Sequence, residues 1–138
     1  QIESPLEAFV NPSSFKIYQA DTGLLVSKAG AQRADILSGI GGTFMGALTE
    51  NYVAQQLSAI GYPLHYWARD NRAEIDFVVE RQGCVSAIEV KAGENTRSRS
   101  LSSLKKSHPG VRRIRLSTKP FGMNDGLMSV PLYAAFCL

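Results

Sequence analysis

EIDFVVERQGCVSAIEVK, residues 74–91, is the stretch whose reading decides the fold. Ile75, Phe77 and Val79 alternate with Glu74, Asp76 and Val78, and Ser86, Ile88 and Val90 alternate with Val85, Ala87, Glu89 and Lys91. Period two in β-branched and aromatic residues predicts two strands. Gln82-Gly83 between them predicts a tight turn, because glycine takes the positive φ that short hairpins need. A two-residue loop there pairs Arg81 with Cys84 and, counting outward, Asp76 with Glu89. A four-residue loop gives the same pairing; a three-residue loop shifts it by one. In the favoured register the two carboxylates share a face, with Cβ atoms roughly 5 Å apart. Lys91, two residues beyond Glu89, shares that face.

Carboxylates directly opposite one another destabilise a sheet and push each other towards protonation. A divalent cation is the compact compensation, and Mg²⁺ takes one or two carboxylates plus waters. A lysine beside it can hold or deprotonate a water, or stabilise a developing negative charge. The same residues also read as an exposed strand face carrying a weak Lys–Glu pair.

Asp76, a short hairpin and Glu89-Val90-Lys91 together resemble the PD-(D/E)xK nuclease core, with Ile75 standing where the motif has its proline. The resemblance implies that Asp76 and Glu89 hold a divalent metal and that Lys91 assists phosphodiester hydrolysis. It also implies a further Glu from a preceding helix and the Val90 carbonyl as another ligand.

The helix is readable at residues 44–60, FMGALTENYVAQQLSAI, with Thr43 as N-cap, Gly61 at its end and Pro63 preventing continuation. Glu50 lies on its apolar stripe with Val53, Ala54 and Leu57. A carboxylate there is costly to bury alone. It is either bonded to a neighbouring backbone or arginine, or it is the third acid of the metal site, with Asn51 and Gln55 lining the same cleft.

Upstream, residues 15–18 suggest a short strand or helix start, Asp21-Thr22-Gly23 a turn, and residues 33–37 a helical turn. Downstream of the helix, residues 64–68 read as a first strand, in which Tyr66 and Trp67 pack the core and sheet in preference to stacking bases, and His65 is a surface or packing residue in preference to a catalytic one. Residues 96–107 read as an amphipathic helix and 111–117 as a strand. A strand–helix–strand of this length predicts parallel pairing with a right-handed crossover. Residues 117–126 read as a loop. The apolar tail, 127–138, reads as a strand with a helix start or a helix on the sheet, and Pro131 argues against a central strand.

KIYQADTGLL, GALTENYVAQQL, HYWARDNRAEIDFVVE and AIEVKAG, in that order, are similar to the domain of unknown function found C-terminal to AAA-type ATPases in bacteria and archaea, a family placed in the PD-(D/E)xK superfamily. The chain contains no G-x-x-x-x-G-K-[ST] P-loop. The resemblance therefore implies an ATPase part preceding residue 1, with residues 1–42 as the lead-in and 43–138 as the nuclease-like domain.

The length, 138 residues, and 44% hydrophobic content suit one domain with its own core. No run of 18 apolar residues suggests a membrane span, and QIESPLEAF lacks the features of a signal peptide. Cys84 and Cys137 are far apart with no nearby His cluster, which argues against zinc and predicts reduced, core-packed thiols of a cytoplasmic protein. Residues 1–91 carry 7 Lys and Arg against 10 Asp and Glu, whereas residues 92–138 carry 8 against 2. A basic half beside an acidic cluster suits a phosphate-bearing substrate, or is an ordinary solvated surface. Arg97, Arg99, Lys105, Lys106, Arg113 and Arg115 are the candidates to grip a nucleic-acid backbone.

The expectation is an α/β fold with a PD-(D/E)xK restriction-endonuclease-like core, a central mixed β-sheet flanked by helices. The expected function is Mg²⁺- or Mn²⁺-dependent hydrolysis of DNA phosphodiesters by Glu50, Asp76, Glu89, Val90 and Lys91, alongside the ATPase domain of the same chain. The alternative is a catalytically silent DNA-binding or regulatory module of that ATPase. Self-association stays open.

Overall fold

A computed structural model describes residues 2–39, 42–69, 73–93 and 98–138. A six-stranded mixed sheet in the order β1-β2-β3-β4-β6-β5 forms the centre, with helices on both faces. Three antiparallel strands come first: β1 (His65–Arg69), β2 (Ala73–Arg81) and β3 (Cys84–Lys91). Gln82 and Gly83 have φ of 51° and 75°, the twin positive values of a type I′ turn. The register is the expected one, from Arg81↔Cys84 to Phe77↔Ile88.

β3 then crosses through a helix (Arg99–Ser107) to β4 (Arg112–Ser117), which pairs with it in parallel as expected. Ser98 caps this helix by accepting the Leu101 N–H, and Leu101 and Leu104 bury its apolar side. Residues 127–138 form the expected strand with a helix start, Leu127–Pro131 followed by a 3₁₀ turn at Leu132–Cys137, whereas the segment read as a loop differs from expectation. Residues 122–124 form an edge strand, β5 (Gly122–Asn124), which hairpins into β6 (Leu127–Pro131). Asp125 and Gly126 make the turn, with φ of 50° and 69°. β6 is an interior strand because Pro131 falls at its last pair, opposite Ser117, where a missing N–H interrupts little.

The long helix runs Gly42–Ala59, so Thr43 lies inside it rather than capping it. Two short helices precede it, Thr22–Lys28 and Arg33–Ser38. In chain order the helices are thus α1, α2, α3 (Gly42–Ala59) and α4 (Arg99–Ser107). The Asp21-Thr22-Gly23 signal is a helix start, not a turn: the Asp21 carboxylate accepts the Leu24 N–H at 2.7 Å. Residues 15–18 form no helix or strand.

Two apolar cores sandwich the sheet. Val53, Ala54 and Leu57 of α3 pack on Phe77, Val79, Ile88, Ile114 and Leu116. On the other face Leu101 and Leu104 of α4 meet Ile75, Val78, Val85 and Ala87, together with Ile2 and Leu6 of the lead-in. Both cysteines are free and exposed, which corrects their placement in the core. Cys84 falls at the hairpin turn and Cys137 in the terminal 3₁₀ segment, where neighbouring side chains do not enclose them. Among the described residues no helix is long and apolar enough to cross a membrane.

Candidate functional site

The alternation expected for β2 breaks at the candidate site. Ile75 and Val78, three residues apart, both pack on the α4 side, whereas Phe77 and Val79 pack on the α3 side. The pairing with β1 slips at the same place: His65 faces Val78 and Trp67 faces Ile75, so Asp76 and Phe77 oppose Tyr66 alone. This is a β-bulge, which bends the strand and re-aims side chains. β3 keeps its alternation, with Ala87 towards α4 and Ile88 towards α3. Asp76 and Glu89 are therefore not the expected flat pair on one face. Asp76 lies within electrostatic reach of Glu50 of α3 and of Glu89, while Glu89 keeps the side of Ala87.

The Asp76 carboxylate accepts the Val90 N–H at 2.7 Å. Its pKa rises from the usual carboxylate value to about 6. Desolvation is the main cause, and the charges of Glu50 and Glu89 add to it, opposed by the Val90 N–H and by Lys16. Glu89 is buried. One of its oxygens lies 3.0 Å from Lys91 Nζ. The other, Oε2, is buried with no hydrogen-bond partner among the described residues. Arg115 stands beside Glu89 in the β3–β4 register.

Glu50 is engaged by the lead-in. Lys16 Nζ lies 3.0 Å from Glu50 Oε1, and the Tyr18 hydroxyl donates to the same oxygen at 2.6 Å. Lys16 also pairs with Glu74 at 2.5 Å. Burial and the Glu50 carboxylate together drive the Tyr18 pKa upward. The next two polar residues of α3 continue the docking. Asn51 accepts the Gln19 N–H at 2.8 Å and donates to the Gln19 carbonyl at 3.1 Å. Gln55 accepts from both the backbone and the hydroxyl of Thr22. Asn51 and Gln55 therefore fasten the 19–22 segment instead of lining an open cleft. Lys16 and Tyr18 are the site residues that the sequence reading missed as such. Their signal was the KIYQADTGLL motif, which carried a family likeness and no assigned role.

The acidic side chains can be tested against a divalent cation. Two carboxylates, one with an unpartnered buried oxygen and one pushed towards protonation by desolvation first and like charges second, suit a hard cation completed by waters. Among the described residues no group of three His, Cys, Asp or Glu side chains is placed to hold a metal, so an all-protein cage does not fit.

The basic candidates fall into two groups. Arg113 is buried, its guanidinium donating to the Asp125 carbonyl at 2.5 Å, and so supports the β5–β6 turn instead of facing a ligand. Arg115 donates to Ser129 Oγ at 2.9 Å across to β6. Arg99, Lys105 and Lys106 on α4 are exposed, although Lys105 also pairs with Asp125 at 2.5 Å. Arg97 lies outside the described residues.

The fold is a mixed α/β domain in which Asp76 lies within electrostatic reach of Glu50 and Glu89, with Lys16 paired to Glu50 and Lys91 to Glu89. Residues 45–135 match the domain of unknown function DUF4143, and the chain belongs to that family. No curated protein and no solved structure matches the chain.

Proposed function

We propose that this domain is a metal-dependent nuclease-like module of the PD-(D/E)xK type, acting on DNA phosphodiesters as the C-terminal part of an AAA-type ATPase. The observation that carries the proposal is the buried Glu89 Oε2, unpartnered among the described residues, beside Lys91 and within electrostatic reach of Asp76. Asp76 and Glu89 would hold Mg²⁺ or Mn²⁺, with the Val90 carbonyl available as a further oxygen. When bound, such an ion polarises a phosphodiester and lowers the pKa of a coordinated water. Lys91, held beside Glu89, positions its ammonium to hold the attacking water or to stabilise charge on the phosphate. Glu50 orients Lys16 and Tyr18 next to the site, and the exposed α4 cations supply backbone contacts that position a strand without reading its sequence.

The test is cleavage of supercoiled, linear and single-stranded DNA with Mg²⁺ or Mn²⁺, with EDTA as control, comparing wild type with Asp76→Ala and Lys91→Ala. Metal-dependent cleavage lost in both variants supports the proposal. Equal cleavage in wild type and variants removes it.

A second reading has its own observation. Glu50 and Glu74 are both paired to Lys16, a lysine of the same chain. A module that satisfies its acids internally suits a silent DNA-binding or regulatory role. DNA binding without cleavage, unchanged by metal, would favour it.

A further inference from the structure

A cavity of about 670 Å³ lies between the lead-in and β1, one of the two edge strands of the sheet, and reaches Asp76. That volume is in the range of small-ligand sites, on the order of 300–1,000 Å³. Its walls combine Phe9, Phe15, Tyr66 and Trp67 with His65 and Lys16. Phe15 is 71% exposed and Phe9 42% exposed, so two aromatic rings stand in solvent around the cavity. His65 Nδ1 is buried with no hydrogen-bond partner among the described residues. Lys16 Nζ sits 5.3 Å from the centre of the Tyr66 ring and pairs with Glu50 and Glu74, which places a cation beside the acidic cluster.

We propose that this cavity receives an unpaired nucleobase of the strand bound at Asp76. The inference deepens the nuclease reading, on which it rests, by naming the substrate class as single-stranded or frayed DNA. Aromatic walls stack a base of any sequence, because every base has a π-face. The polar edge that stacking leaves exposed needs a hydrogen-bond partner, and the partly exposed Lys16 ammonium in the cavity wall offers a donor. A base held in a duplex is stacked on both faces and paired along one edge, and cannot enter a walled cavity without being extruded.

Trp67 is the single tryptophan of the chain, so its fluorescence reports on the cavity directly. The experiment titrates the whole domain, in EDTA to prevent cleavage, with a short oligothymidylate and with a blunt duplex of equal length. The single strand should quench Trp67 and bind about tenfold more tightly than the duplex, the worth of roughly one stacked base. Phe15→Ala should lose about tenfold in single-strand affinity. Because Phe15 is exposed, this variant retains the fold, and circular dichroism verifies that. Equal duplex affinity, no quenching by either nucleic acid, or quenching unchanged in both Phe15→Ala and Phe9→Ala would each overturn the proposal. Failure of cleavage with single-strand quenching intact removes the nuclease reading and leaves the cavity assignment standing. Cleavage with no quenching does the reverse.

Discussion

The Asp76 carboxylate takes the Val90 N–H at 2.7 Å, a bond that a continued antiparallel ladder would give to the Ile75 carbonyl. A side chain has replaced a strand at the point where β2 bulges. That substitution opens the sheet locally and leaves a carboxylate desolvated between two other acids.

The position of Asp76 has a pH signature. Its folded pKa, about 6, lies above the ordinary 3.8, so the folded state binds the proton more tightly than the unfolded chain. The contribution to stability is therefore fullest below the ordinary pKa and is lost as pH rises through about 6. The total is up to roughly 3 kcal/mol. Asp76→Asn should raise Tm at neutral pH, and the gain should fade towards pH 4 (approximately the unfolded pKa). Thermal unfolding of both proteins across this range checks it; a pH-independent difference would refute the assignment.

A divalent cation should act on the same carboxylates. At a tenfold excess over Kd, Mn²⁺ should stabilise the wild type by about 1.4 kcal/mol at neutral pH. Asp76→Asn and Glu89→Gln should each abolish that shift. Calorimetry with and without Mn²⁺ reads the result, and a shift retained in both variants would place the ion elsewhere.

Lys16→Met removes the ammonium shared by Glu50 and Glu74. Leaving Glu50 half-buried with only the Tyr18 hydroxyl should cost about 1–2 kcal/mol. Lys16 also holds the Asp76 pKa down, so the variant should titrate Asp76 at higher pH. Carboxyl NMR titration measures this, and an unmoved Asp76 would show that Lys16 does not act on it.

Asn51 is buried, bonds both backbone groups of Gln19 and also donates to Thr22 Oγ1. Asn51→Ala should cost about 1–3 kcal/mol, since those groups lose a partner. Hydrogen exchange should rise at residues 16–22 and stay low in β2 and β3. Uniform acceleration would mean that the lead-in does not detach separately.

Gln82 has φ of 51° in the hairpin turn, where Asn-Gly is the favoured pair. Gln82→Asn should stabilise by a few tenths of a kcal/mol, on the order of other relieved turn positions. Urea unfolding should show a raised midpoint with an unchanged slope; a lowered midpoint would mean that the Gln82 side chain contributes more than its backbone conformation costs.

Much of the fold was legible because its signals are local. Period-two runs and Gln82-Gly83 defined the hairpin and its register, and α3 ended at Gly61 as its sequence predicts. The β5–β6 hairpin was overlooked although Asp125-Gly126 is a strong turn signal, because the strand before it has only three residues. Glu50 was placed on the buried side of α3, but its partners Lys16 and Tyr18 stand 34 and 32 positions away, a separation no local pattern spans.

Sequence by itself determined the strand hairpin, its register, the parallel crossover to β4 and the acidic residues available for chemistry. These follow from side-chain periodicity and turn geometry, which act between near neighbours. Only the tertiary structure decided that β2 bulges at Asp76, that Lys16 pairs with both Glu50 and Glu74, that Arg113 is buried and that the cysteines are exposed. Each of these depends on burial and on partners brought together by packing, and desolvation is a property of the assembled core rather than of any stretch of chain.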